Sequence, residues 1–126
     1  MQQSHKSFIN RMRRKPRPRI IRVQPSHDGF LAIWLDEHVE EQKWSEVERI
    51  ITYKVDCYTH DMIWLAFERR GYDEAIQIPE EAEGFADLMA ALGKAFPEID
   101  PQWYFTVMQP PFAENFTVLY RRRPDA

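Results

Sequence analysis

Cysteine is nearly missing from the chain: Cys57 is the one thiol among 126 residues. That excludes an internal disulfide, and Cys57 alone cannot build a cysteine-based zinc site. Glycine is sparse, with four residues scattered at 29, 71, 84 and 93, which excludes a glycine-rich phosphate loop. No Gly-x-Ser-x-Gly elbow and no His-Glu-x-x-His pair occurs, so two common hydrolytic signatures are absent. The longest apolar runs are six or seven residues, such as Met62 to Phe67, too short for a transmembrane helix. The first residues lack the apolar stretch of a secretory signal. They are arginine-rich and free of acid, as mitochondrial leaders are, but Pro16 and Pro18 break the amphipathic helix such a leader needs. A cytoplasmic location is therefore expected, and an unpaired cysteine agrees with it. Met12 is an alternative start, which would leave residues 1–11 outside the functional protein.

What is present is a one-domain length with enough apolar material for a core. Hydrophobic residues make up 44% and aromatics 13%, which argues against wholesale disorder. The net charge of −3 conceals an asymmetry. Residues 1–27 hold eight Lys/Arg and no acid. Residues 28–120 hold six Lys/Arg against nineteen Asp/Glu, a balance of −13. Arg121, Arg122 and Arg123 then restore positive charge near the end. The basic arm has three readings: a phosphate-neutralising tail, a segment folding back on the protein's own acidic surface, or a solvated tail. No aromatic interrupts Arg11–Arg19, so no base-stacking platform is evident there.

Residues 1–18 read as a flexible basic arm, followed by a single domain over 19–123. Arg19–Pro25 and Phe30–Leu35 read as strands paired through Ser26-His-Asp-Gly29, with Gly29 free to take positive φ. An acidic connection follows, with a weak strand signal over His38–Glu40. Val47–Val55 alternates with period two. Met62–Glu68 is apolar on both faces and so reads as a central strand; Glu74–Ile78 is a short one ending at Pro79. Acidic Glu80–Glu83 precedes a helix over 83–96, whose stripe is Phe85, Leu88, Met89, Leu92 and Phe96. Asp100-Pro101 favours a second short helix over 101–108, against the strand-like composition of Trp103–Val107. Asn115–Tyr120 closes the chain as a strand, with Phe116, Val118 and Tyr120 on one face. The expected fold is α+β: one bent antiparallel sheet of about six strands covered by the 83–96 helix. Phe85, Leu88, Met89 and Leu92 are expected to pack on Ile51, Tyr53, Ile63, Leu65 and Phe67.

The segments Trp44–Asp56, Asp61–Glu68 and Phe112–Arg121, with the closing Asn-x-Thr-Val-Leu-Tyr strand, resemble a group of small uncharacterised bacterial proteins carrying a domain of unknown function. The resemblance covers about residues 19–122. The same layout is loosely similar to pleckstrin-homology-like domains and to small immunity proteins that bind and block a cognate toxin. What it implies is a binding role, with no catalytic residue to carry over.

The densest local constellation is Asp56-Cys57-Tyr58-Thr59-His60-Asp61. Cys57 and His60 have a plausible ligand spacing, yet Asp and Thr are also what a hairpin turn uses for local hydrogen bonds. No metal, cofactor or catalytic set is assigned. Lys54 is expected to pair with Asp56 or Asp61 at the surface, which is worth about 0–1 kcal/mol. Trp64 and Ile63 are adjacent and must face opposite sides of their strand. Trp64, Trp103 and Phe112 are the candidate partner anchors, because Trp is enriched at interface hot spots. Arg13, Arg14 and Arg17 are the candidate contacts of the arm. The expectation is a non-catalytic protein-binding module with an immunity-like or adaptor role, its partner basic or a second copy forming a homodimer. The alternative is a nucleic-acid-associated protein using residues 11–22. No membrane contact is expected.

Overall fold

The computed structural model describes residues 19–56, 60–109 and 115–124. Strands β1 (Ile20–Pro25), β2 (Gly29–Trp34) and β3 (Val39–Lys43) come first. A single 3-10 turn, Trp44–Glu46, leads to β4 (Val47–Asp56), β5 (Asp61–Arg69) and β6 (Ile76–Pro79). Helices α1 (Phe85–Ala95) and α2 (Trp103–Val107) precede the last strand, β7 (Thr117–Arg121).

The expected single six-stranded sheet is instead two antiparallel sheets. One has three strands in the order β1-β2-β3; the other has four in the order β6-β5-β4-β7. The fold is still mixed α+β, but mostly sheet. The split falls at Trp44–Glu46. A tight hairpin there would have paired β3 with β4. Instead Trp44 turns its ring into the core, at 5.6 Å from Phe30 and 5.7 Å from Phe96. The turn is tethered to both sheets, by Trp44 N–H to the Asp28 carbonyl at 2.9 Å and by Arg70 N–H to the Glu46 carbonyl at 3.1 Å. The chain therefore crosses from one layer to the other rather than doubling back.

One main core fills the space between the sheets and the helices. Phe30 of β2 meets Phe67 of β5 at 4.9 Å between ring centroids. Val23, Ala32, Trp34, Ile50, Ile63, Leu65, Ile76 and Ile78 join them, with Phe85, Leu88 and Leu92 of α1. Each fully buried side chain of this size contributes about 1.5–3 kcal/mol relative to exposure. The helix thus shares the main core with Ile63, Leu65 and Phe67, resting chiefly on β1, whereas Ile51 and Tyr53 lie outside that core. In β4 the inward residues are Ile50, Thr52 and Lys54; Ile51 and Tyr53 point to the opposite face, in a separate cluster with Ala66.

Two glycines matter to this architecture. Gly29 does not adopt a positive φ. Its need is space: a Cβ there would stand 1.9 Å from the Gln42 carbonyl oxygen, where β2 crosses β3. Gly84 does take φ +90 and forms the N-cap of α1, so the helix starts later than the acidic run suggests. A Cβ at Gly84 would meet the Val23 carbonyl oxygen at 2.2 Å. That close approach lets Val23 N–H reach the Glu83 carbonyl at 2.8 Å, and Glu83 N–H the Ile21 carbonyl at 2.9 Å. These two bonds join the first sheet to the start of the helix.

The final strand also departs from simple alternation. Ile50 pairs with Tyr120 but Ile51 pairs with Val118, an irregularity that places one extra residue on β7. Phe116 and Tyr120 consequently fall on opposite sides. Tyr120 packs at 4.4 Å from Phe96 in the main core, while Phe116 stacks at 6.3 Å from Tyr53 outside it.

Candidate docking surface

The outer face of the three-stranded sheet is built by period-two alternation. In β2, Phe30, Ala32 and Trp34 enter the core. Leu31 and Ile33 must then point away from it, and Leu35 continues that row just past the strand. Ile33 lies directly across from Val39 of β3 and from Arg22 of β1. Nothing among the described residues covers this row. Leu35 is 62% exposed, Val39 51% and Ile21, at the irregularity in β1, 40%. Leu31 and Ile33 are half-buried.

The β2–β3 loop that presents Leu35 and Val39 is held in an uncommon conformation. Glu37 has φ 71, in the left-handed region. For a residue with a Cβ this costs roughly 1–2 kcal/mol. The surroundings enforce it: Trp34 N–H donates to the His38 carbonyl and Glu37 N–H to the Trp34 carbonyl, both at 2.9 Å. His38 N–H donates to Asp36 Oδ1 at 3.1 Å. Asp36, Glu37 and Glu41 give the rim an acidic side; Arg22 and Lys43 give it a basic one, and all five are exposed.

Polar chemistry is concentrated elsewhere, beneath α2. Lys54 is 2% exposed, which corrects the expected surface pair. Its Nζ donates to the Met108 carbonyl at 2.8 Å and lies 3.5 Å from Asp61 Oδ2. Inward orientation in β4 puts the cation under the end of α2, where carbonyls accumulate negative charge. Glu80 completes this region. Its Oε1 accepts the Ile63 N–H at 2.8 Å, and its Oε2 accepts the Tyr104 hydroxyl at 2.6 Å. The Tyr104 phenol is pushed up to about 12, first by its hydrogen bond to Glu80, then by burial and by the carboxylate's charge. Asn115, with φ 53, donates its side-chain amide to the carbonyls of Thr106, Val107 and Gln109 at 3.2, 2.9 and 2.8 Å. These contacts fasten α2; with the Lys54 side chain wholly enclosed, they leave no open cleft around the cation.

An open groove of about 630 Å³ lies between the β1–β2 turn and α1, lined by Pro25, His27, Trp44, Asp87, Ala91 and Lys94 among others. An ion pair joins the two layers: Arg69 of β5 with Glu40 of β3. The Arg69 guanidinium also lies 3.9 Å from the centre of the Tyr72 ring.

The residues expected to bind a partner fall in different places. Trp64 is half-buried on the outer face of the four-stranded sheet, stacked at 6.2 Å on Tyr53, and Ile63 beside it is fully buried inward. Trp103 is 7% exposed within the main core. Phe112, Arg13, Arg14 and Arg17 lie outside the described residues, as do Cys57, Tyr58 and Thr59. Among the described residues no group of three or more His, Cys, Asp or Glu could hold a metal ion, and no helix is long and apolar enough to cross a membrane. The row Leu31-Ile33-Leu35-Val39 is not singled out by the sequence, because Phe30–Leu35, like Met62–Phe67, is apolar at both parities and alternation alone does not say which residues face outward. No family model, curated protein or solved structure matches the chain.

Proposed function

We propose that this chain is a non-catalytic protein-binding module, of immunity-like or adaptor type, that docks its partner on the outer face of the three-stranded sheet. The observation that carries this reading is the uncovered apolar row Ile21, Ile33, Leu35 and Val39. Contiguous exposed apolar side chains with a charged rim are what interaction sites present. The strained turn at Glu37 supports the same reading, since backbone strain persists where presentation of neighbouring residues needs it. The acidic excess over residues 28–120 favours a basic partner and speeds its encounter.

The test is affinity capture with the full chain and with the double variant Leu35→Asp, Val39→Asp, at low and high salt and with and without nuclease. Both substitutions are at exposed positions, so stability should stay within about 0.5 kcal/mol of wild type. A discrete protein captured by wild type and lost with the variant is the expected result. Equal recovery by both forms would contradict the surface assignment. Recovery abolished by nuclease would transfer the function to the basic arm.

A further inference from the structure

Strands β1, β3, β6 and β7 form the edges of the two sheets, and three of these edges are covered or interrupted. The edge of β1 is occupied by Glu83, which accepts the Val23 N–H and donates to the Ile21 carbonyl. β6 is four residues long and ends at Pro79, which has no N–H to offer. β7 carries an irregular step between its pairings with Ile50 and Ile51, and such a bulge turns an edge away from further pairing. β3 has none of these devices. Its register with β2 runs unbroken from Val39 to Lys43, and no described strand lies on its other side.

Register decides which backbone groups that edge presents. Bonded pairs alternate along an antiparallel ladder. Trp34 N–H donates to the His38 carbonyl and Trp44 N–H to the Asp28 carbonyl, both at 2.9 Å. Between those two pairs, the bonded positions are Ala32 with Glu40 and Phe30 with Gln42. Glu40 and Gln42 therefore direct their N–H and C=O groups to β2. Those of Val39, Glu41 and Lys43 point the other way. The Lys43 carbonyl accepts from Gln42 Nε2 at 2.9 Å. The three N–H groups and the Val39 and Glu41 carbonyls have no hydrogen-bond partner among the described residues.

Side chains make the edge selective. Val39 and Glu41 share the outer face with their β2 partners, Ile33 and Leu31, so the edge offers an apolar step beside a central carboxylate. Asp36 and Glu37 before the strand and Glu46 beyond it are also exposed, and Lys43 is the single Lys or Arg from 36 to 46. Glu40 is already paired with Arg69. A second copy fits this edge poorly. Two β3 strands paired antiparallel over their full length bring Glu41 opposite Glu41, and like charges directly opposite destabilise a sheet. A basic strand reverses that sign.

We propose that the partner adds an extended strand to the β3 edge, with a Lys or Arg opposite Glu41 and, two residues along, an apolar side chain opposite Val39. The inference rests on the outer-face reading and says how that face is engaged. Backbone bonds to the free edge give attachment, and the two side chains give selectivity.

A random ten-residue peptide library, displayed on phage and panned on the immobilised full chain, supplies the probe. Selected peptides should carry Lys or Arg two residues from Val, Ile or Leu. In the free isotope-labelled chain the amides of Glu41 and Lys43 should exchange at unprotected rates, while those of Glu40 and Gln42 are slow. A saturating selected peptide should slow Glu41 and Lys43 roughly tenfold or more. Glu41→Pro removes an outward N–H and leaves the β2 ladder intact, so it should fold as wild type and bind roughly tenfold more weakly. N-methylated peptides give a readout that leaves the chain untouched: alternate positions should abolish binding and the intervening ones should not. Panning without the basic–apolar consensus, unchanged exchange at Glu41 and Lys43, or N-methylation tolerated at every position would overturn the proposal. The two readings fail separably. Partner capture lost with Leu35→Asp, Val39→Asp but kept by Glu41→Pro would overturn strand addition and leave the outer-face reading standing; equal capture by all three forms would sink both.

Discussion

Glu80 does two jobs at once, and that makes its removal a sharp perturbation. One carboxylate oxygen accepts the Ile63 N–H, extending the β5–β6 ladder past Pro79, while Glu80's own N–H donates to the Ile63 carbonyl at 2.8 Å. The other oxygen holds the Tyr104 hydroxyl of α2. In Tyr104→Phe only the second bond is lost. A hydrogen bond to a charged acceptor is worth about 1.5–3 kcal/mol; Tyr104 is half-buried, and solvent screening brings the expected loss to about 1 kcal/mol. In Glu80→Ala the fully buried Ile63 also loses its acceptor, adding about 1–3 kcal/mol, so the expected total is about 2–4 kcal/mol. Urea unfolding of both single variants and the double variant should give a coupling of about 1 kcal/mol. The pH dependence is a second readout. Tyrosine ionises near 10 in the unfolded chain and at about 12 in the fold. The folded state therefore retains the proton longer. Its stabilisation is complete below about pH 10 and fades as pH climbs toward 12. The stability difference between wild type and Tyr104→Phe should shrink over that window. Coupling below about 0.3 kcal/mol, the level at which independent sites add, or a difference that stays flat to pH 12, would refute the clamp.

Gly29→Ala should destabilise by about 1–3 kcal/mol, because its Cβ would enter the Gln42 carbonyl at 1.9 Å; thermal unfolding checks this, and a neutral result would mean β2 and β3 separate easily. Glu37→Gly should stabilise by about 1 kcal/mol by relieving the left-handed backbone, readable in the same melts; a loss of stability would show that the Glu37 side chain contributes more than its strain removes.

Strand existence was legible wherever alternation was strong. β1, β2, β4, β5 and the core stripe of α1 follow from periodicity and turn residues; Asp100-Pro101 signals the short α2, which nevertheless begins at Trp103 with Gln102 rather than Asp100 at the cap position. What periodicity cannot specify is which parity of a doubly apolar strand faces inward. Ile50 and Ile51 are equivalent in composition, and the choice between them is made by Phe67 and the opposing sheet. For the same reason the sequence pattern pairs the helix with Ile51 and Tyr53 rather than with Ile50. Lys54 reads as a surface cation until Met108, fifty-four residues later, supplies its acceptor. The division into two sheets hinges on Trp44, whose packing against Phe30 and Phe96 is a tertiary fact. The docking row was hidden by the same ambiguity, since the exposed member of each Leu/Ala and Ile/Trp pair emerges only once Phe30 is seen against Phe67.

The central claim is that partners meet the outer face of the three-stranded sheet. A photoactivatable benzoylphenylalanine placed at Val39 in living cells tests it most directly, with a second chain carrying the same probe at exposed Glu98 beyond the end of α1. The account predicts a discrete cross-linked protein adduct from position 39 and none from position 98. Identical adducts from both positions, or none from either, would contradict it.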